Sequence, residues 1–173
     1  MVFYIFKTDC ISYKWSQSVC REGGCYSIYA SGFHLDFGAG QYLMADAKRQ
    51  GAKVVFTTGG AQSNHAMLTA AAARKLGMTP ILVLKKRGVT ARQGNQLLNS
   101  LMGVDVRFVD SDSYDDVYAE MDRIAAEKEA EGKPCYKIPV GGSVALGSLG
   151  YVECVREIAE QTEAMGIRLD HII

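Results

Sequence analysis

The sequence predicts an α/β fold with three layers, αβα, around a mostly parallel sheet. Three observations carry that expectation. From residue 41 onward, helix-like stretches alternate with short strand-like stretches, the order that yields a parallel sheet covered by helices on both faces. Glycines such as Gly51 and Gly77 stand where the helical stretches must stop. A length of 173 residues with 48% hydrophobic and 22% charged composition suits one globular domain with a real core.

Taken in order, QYLMADAKRQG (41–51) reads as a helix stopped by Gly51, and KVVFTT (53–58) as a short β-branched strand. SNHAMLTAAAARKLG (63–77) is a second helix, with Ser63 or Asn64 as its N-cap. Its alanines favour the helix, and Arg74 and Lys75 suit its last turn. A strand ILVL (81–84), a polar loop KKRGVTARQG (85–94), a shorter helix NQLLNSLMG (95–103) and a third strand VRFVD (106–110) follow.

SYDDVYAEMDRIAAEKEAEG (113–132) is the clearest amphipathic helix. Val117, Met121, Ile124 and Ala125 fall at helical spacing, with acids and bases on the other face. CYKIPV (135–140) reads as a fourth strand, GGSVALGSLG (141–150) as a glycine-rich loop, YVECVREIAEQTEAMG (151–166) as a helix and LDHII (169–173) as a last strand. The chain stops inside that strand, which is expected of a sequence ending where a longer protein continues. Residues 1–40 hold three cysteines and many aromatics without a sustained period of 2 or 3.6, so they predict only a mixture of loops and short strands.

Nineteen basic residues balance nineteen acidic ones and no dense Lys/Arg block stands out, which argues against nucleic acid or an anionic membrane surface as partner. No apolar run approaches the ~20 residues of a spanning helix, and the start lacks the basic region and cleavage site of a signal peptide. A cytoplasmic protein with no membrane association is expected. The five cysteines, Cys10, Cys20, Cys25, Cys135 and Cys154, form no CxxC pair and have no histidine at ligand spacing, so reduced thiols and no metal site are expected.

The candidate site is TTGGAQSNH (57–65), where a strand opens into glycines and then a helix start. In open α/β sheets, ligands sit beyond the carboxyl ends of strands. Gly59 and Gly60 let backbone approach a ligand, and unpaired N–H groups at the helix start favour a carboxylate or phosphate. Gln62, Ser63 and Asn64 add direction. A plain helix cap explains Ser63 and Asn64 equally well, and His65 in a first helical turn fits a packing role. A nucleotide-binding reading is weak, because the GxGxxG spacing is missing.

YLMADAKRQGAKVVFTTGGAQSNHAMLTAAAARKLGMTPILVLKKRG, with NQLLNSLMGVDVRFVD, IPVGGSVALGSLGYVE and LDHII, closely resembles the D-cysteine desulfhydrase and 1-aminocyclopropane-1-carboxylate deaminase family of pyridoxal-phosphate enzymes, of fold type II. The resemblance covers roughly residues 41–173. It implies a small α/β domain over 41–140 and the beginning of a large cofactor-binding domain over 141–173, preceded by an unassigned segment 1–40. It implies pyridoxal 5'-phosphate as cofactor, a small amino acid as substrate and a homodimer.

By the same resemblance, Asn64 binds the 3'-oxygen of the cofactor ring, and Ser63 is catalytic near the substrate Cα. Gln62, Ser63 and the backbone at His65 bind the substrate carboxylate. Gly141, Gly142, Gly147 and Gly150 match a loop beside the cleft, and Tyr151 reads as a packing residue. D-cysteine conversion to pyruvate, sulfide and ammonia is the first expectation for the parent enzyme, and deamination of 1-aminocyclopropane-1-carboxylate the further one.

The chain departs from the family pattern at two places. The lysine that carries the cofactor falls, counting back from Tyr42, at Asp36, and the phosphate-gripping loop after the strand matching DHII is absent. An aspartate cannot form the imine. Lys48, Lys53 and Lys75 read as surface residues, and Lys7 or Lys14 would serve only if the N-terminal segment folded back. This chain is therefore expected to be impaired, and the alternative is a noncatalytic small-carboxylate-binding or assembly module on the same scaffold.

Overall fold

The computed structural model describes the backbone of residues 5–6, 10–12, 17–22, 25–30, 32–168 and 170–172, and side chains from Gly40 to Arg168 together with Asp170. Four short strands come first, β1 (Ile5–Phe6), β2 (Cys10–Ser12), β3 (Gln17–Glu22) and β4 (Cys25–Ala30), paired as an antiparallel meander. The short strands expected there are present; residues 32–40 of the same expectation are helical instead, and the remainder of 1–40 lies outside the described residues. Three of the five cysteines have side chains outside the described residues; Cys135 is half-buried and Cys154 is buried.

The helix expected at 41–51 is longer. Helix α1 spans Gly32–Arg49 and runs without interruption across residue 40, where the unassigned segment was expected to end. Three glycines between residues 32 and 40 depress its intrinsic helix propensity. Packing sustains it, because Leu43, Met44 and Ala47 are buried against Val55, Ala73 and Ile138.

The central sheet is four-stranded and all parallel, in the order β7 (Asp105–Val109), β6 (Thr79–Lys85), β5 (Val54–Gly60), β8 (Cys135–Lys137). The period of 2 along β5 divides its side chains between two cores. Val54 and Phe56 join Ile81 and Val83 of β6 beneath helix α4 (Tyr114–Ala130), which contributes Val117, Met121, Ile124 and Ala125. Those are the four residues the helical period selected. Val55 faces the opposite layer, formed by α1 and helix α2 (Asn64–Lys75), and Ala66 and Ala70 of α2 pack on Leu82 and Leu84 of β6. The αβα layering is thereby present, and burial of each large side chain such as Phe56 contributes about 2 kcal/mol.

Two boundaries differ from the sequence reading. Strand β8 ends at Lys137, since Ile138 N still donates to Phe56 O at 2.8 Å but Pro139 has no N–H to continue the ladder. The glycine-rich stretch 141–150 is only half loop. Helix α5 spans Ala145–Ala164, so Gly147 and Gly150 are helical and buried. A Cβ at Gly147 would lie 2.2 Å from the Gly142 carbonyl oxygen, so this glycine is what lets α5 start so close to the preceding turn. In that turn Gly141 and Gly142 take φ of 64° and 61°.

The last strand, β9 (His171–Ile172), pairs in parallel with β4 and so belongs to the first sheet. Helix α3 (Asn95–Leu101) inverts the usual polarity: Gln96 and Asn99 are buried while Leu97, Leu98 and Leu101 are exposed. Among the described residues no helix is long and apolar enough to cross a membrane, and no His/Cys/Asp/Glu group could hold a metal ion.

Candidate functional site

Strand order places the TTGGAQSNH stretch at a switch in topology. From β5 the chain steps outward to β6 and β7, then returns on the other side of β5 as β8. The carboxyl ends of β5 and β8 therefore flank a topological switch point, the place at which open parallel sheets take ligands.

The turn after β5 is rigidly built. Ser63 N donates to Gly60 O at 3.0 Å, and the Ser63 side chain caps α2, its Oγ accepting from Ala66 N at 3.1 Å. A Cβ at Gly59 would lie 2.5 Å from Ser63 Oγ, so the close approach requires glycine there. Of the two cap candidates, Ser63 takes the position and Asn64 begins the helix. The cap satisfies Ala66, and the next amide, Met67 N, donates to Ser63 O. The backbone N–H groups of Asn64 and His65 are left free among the described residues, at the positive end of a helix with no acid in its first turn.

Asn64 is exposed, and its Oδ1 accepts from Asn95 Nδ2 at 2.8 Å, so its own NH2 faces outward as a donor. Gln62 is half-buried with its carboxamide fully engaged. Its Nε2 donates to Val89 O at 2.8 Å and to Gln93 O at 3.2 Å, while its Oε1 accepts from Asn95 N at 2.8 Å. Gln96 Nε2 donates to Ala61 O. The loop expected merely as polar, 85–94, is thus stitched to the candidate site.

His65 points inward, 4% exposed, with Nε2 3.0 Å from Thr57 Oγ1 and no partner at Nδ1. Burial lowers its pKa to about 4, so the imidazole is neutral at physiological pH. Any ligand contact at this position is therefore made by the backbone, and the ring anchors α2 to β5. Asn95, Gln96 and Thr57 were not singled out by the sequence reading. A signal for the first two lay in the "GNQ" at the start of α3, where Gly94 has φ +54° and a Cβ would lie 2.6 Å from Gln62 Oε1.

The donor set can be compared with what a pyridine-phosphate cofactor needs. An outward amide NH2 beside two free N–H groups fits an anionic ring oxygen and a carboxylate. Covalent attachment finds no such fit among the described lysines. Lys48 and Lys75 line an apolar groove between α1 and α2, and Lys53 precedes β5 on the exposed surface. Lys85 donates to Asp112 O and covers the Tyr114 ring, and Lys86 approaches Asp110 at 3.4 Å. Lys128 and Lys133 pair with Glu131, and Lys137 with Asp122. Position 36 falls in α1, while Lys7 and Lys14 lie outside the described residues.

The family model "Pyridoxal-phosphate dependent enzyme" matches residues 32–173. A protein of Pyrococcus horikoshii named "Putative 1-aminocyclopropane-1-carboxylate deaminase" is 43% identical over 133 residues, covering 77% of this chain and 39% of its own length. One of the same name from Pyrococcus abyssi is 38% identical, covering 77% and 40%. The crystal structure of an ACC deaminase homologue superposes with a TM-score of 0.74 at 37% identity, over 81% of this chain and 45% of that one. A diaminopropionate ammonia lyase from Escherichia coli, at 17% identity and a TM-score of 0.59 over 83% and 45%, shares the fold. The chain spans about two-fifths of the length of the curated relatives it matches. By the match over residues 32–173 and the shared all-parallel sheet, the chain belongs to the pyridoxal-phosphate-dependent enzyme family, of fold type II.

Proposed function

We propose that this chain forms the small-domain wall of a site that binds pyridoxal 5'-phosphate together with a small amino acid. The observation that carries the reading is the outward NH2 of Asn64 beside the free N–H groups of Asn64 and His65, at the carboxyl end of β5. When bound, the cofactor supplies an electron sink for chemistry at the substrate Cα. Asn64 holds the ring's 3'-oxygen. The amides of Asn64 and His65 take the substrate carboxylate. Ser63, whose lone pair is engaged by Ala66 N, keeps its O–H free to donate toward the substrate and is the residue proposed to handle a proton near Cα. Gln62 acts on the substrate through its neighbours, its own carboxamide being bonded to the 89–95 loop.

The names of the relatives favour 1-aminocyclopropane-1-carboxylate as substrate, which with one water yields 2-oxobutanoate and ammonia. D-cysteine, which with one water yields pyruvate, sulfide and ammonia, is the competing substrate within the same reading. With aspartate at position 36, the chain by itself is proposed to bind without turnover. Homodimer formation and a cytoplasmic location belong to the same proposal; sedimentation velocity and cell fractionation test them, and a concentration-independent monomer overturns the first.

The test uses 4'-deoxypyridoxine 5'-phosphate, which lacks the aldehyde and cannot label surface lysines. Saturable quenching of its fluorescence by the 173-residue chain is expected, tightened by 1-aminocyclopropane-1-carboxylate more than by D-cysteine and weakened by Asn64→Ala. Absence of binding, or binding indifferent to Asn64→Ala, overturns the site. Release of 2-oxobutanoate or pyruvate by the chain with pyridoxal 5'-phosphate overturns the assignment of impaired catalysis. A second reading, a noncatalytic carboxylate-binding module, draws on the lack of a described lysine at the site, and it predicts carboxylate binding with no effect of the pyridine probe.

A further inference from the structure

We propose that Asn95 is the positioning residue for Asn64: it fixes which end of the Asn64 carboxamide faces the site and clamps the 61–64 turn to the 87–96 segment. The inference rests on the cofactor reading above only for its consequence, since the clamp itself is a feature of the unliganded chain.

The orientation follows from a backbone group that cannot be reversed. Asn95 Nδ2 donates to the Gln62 carbonyl oxygen at 2.8 Å, and a carbonyl only accepts, so the Asn95 amide must turn its NH2 this way. The second proton of that NH2 meets Asn64 at 2.8 Å, where only an oxygen can receive it. Asn64 must then point Oδ1 at Asn95 and its own NH2 outward. One carbonyl therefore dictates two amide orientations in sequence, and the site receives a donor rather than an acceptor. A freely rotating asparagine would present either end, and an anionic ring oxygen would have to select one.

The backbone of Asn95 completes the clamp, its N–H donating to Gln62 Oε1 at 2.8 Å. Gln62 passes the connection on to Val89 and Gln93. Ala61 is held at both ends, its N–H donating to Arg87 O at 3.3 Å and its carbonyl accepting from Gln96. Gln96 is thus a tie that touches the turn without touching Asn64, which makes it the control.

Asn95→Asp preserves size and the backbone bond, and an acid suits the first turn of α3, but it removes both side-chain donations. Gln96→Ala loosens the turn and leaves the Asn64 amide bonded. Two measurements on the full chain separate the clamp from its consequence. In the unliganded chain, side-chain amide exchange by NMR should find the Asn95 NH2 protons slowed by on the order of tenfold relative to those of Asn64. Asn64→Ala should release one of them. Exchange as fast as that of Asn64 overturns the proposal whatever the probe does.

With 4'-deoxypyridoxine 5'-phosphate bound at saturation, the ionisation midpoint of its ring hydroxyl, followed by absorbance, should lie below that of the free probe. Asn95→Asp should raise the midpoint by about a pH unit and weaken binding about 10–100-fold. Gln96→Ala should lower the melting temperature without moving the midpoint. Equal midpoints in wild type and Asn95→Asp overturn the positioning role. Slowed exchange without probe binding upholds the clamp and refutes the cofactor reading.

Discussion

The pH response of His65 can be worked through in magnitude. The ring is buried, bonded at Nε2 to Thr57 Oγ1 at 3.0 Å and unpartnered at Nδ1. Burial takes its pKa from 6.5 to about 4. Above pH 6.5 the ring is neutral in both folded and unfolded chain, and its titration has no effect on stability. Between 6.5 and 4 the unfolded chain binds the proton and the folded chain does not, so stability falls as pH falls and levels off below 4. The shift corresponds to roughly 3 kcal/mol across that window. Carboxylates also titrate at its lower end, so the experiment is a difference: urea unfolding of wild type and His65→Gln at steps from about pH 7.5 to about 4. Glutamine matches the reach of Nε2 and does not titrate. The stability gap between the two should shrink or reverse by about 3 kcal/mol as pH falls. A gap independent of pH, or an NMR titration of His65 near 6.5, refutes the reasoning.

Other substitutions test other parts of the framework. Ser63→Ala removes the cap of α2 and should cost about 1 kcal/mol of stability by chemical denaturation. Gly147→Ala drives a Cβ to 2.2 Å from the Gly142 carbonyl oxygen, and thermal melting should find about 1–3 kcal/mol lost; a neutral effect would mean that α5 starts elsewhere. Gly94→Ala meets both a φ of +54° and Gln62 Oε1, so it should detach the 89–95 loop, seen as faster amide exchange at Asn95 N. Thr57→Val leaves both ring nitrogens of His65 without partners and should cost about 1–3 kcal/mol.

Much of the fold was legible wherever one local rule dominated. The stripe Val117, Met121, Ile124 and Ala125 needed only the helical period, and the structure buries those residues under β5 and β6. The helix start at Ser63 needed only cap chemistry. Legibility failed where packing overrode local preference. Glycines 32, 38 and 40 hid the first half of α1, and Gly147 and Gly150 hid the first turns of α5, because glycine signals a loop and also permits close approach of backbones. Strand order lies beyond any local pattern. So does the bond between Asn64 and Asn95, 31 residues apart, which ties the start of α2 to the start of α3. The short apolar run in α3 suggested nothing of its inverted burial, since Gln96 and Asn99 turn inward and Gln96 Nε2 reaches the Ala61 carbonyl.

The central claim is that the turn from Ala61 to His65 is one wall of the cofactor and substrate site. The measurement that tests it most directly is a backbone amide NMR titration of the 173-residue chain with 4'-deoxypyridoxine 5'-phosphate. The account predicts the largest shifts at the N–H groups of Asn64 and His65, with saturation. Shifts gathered instead along the apolar groove between α1 and α2, or none at all, would contradict it.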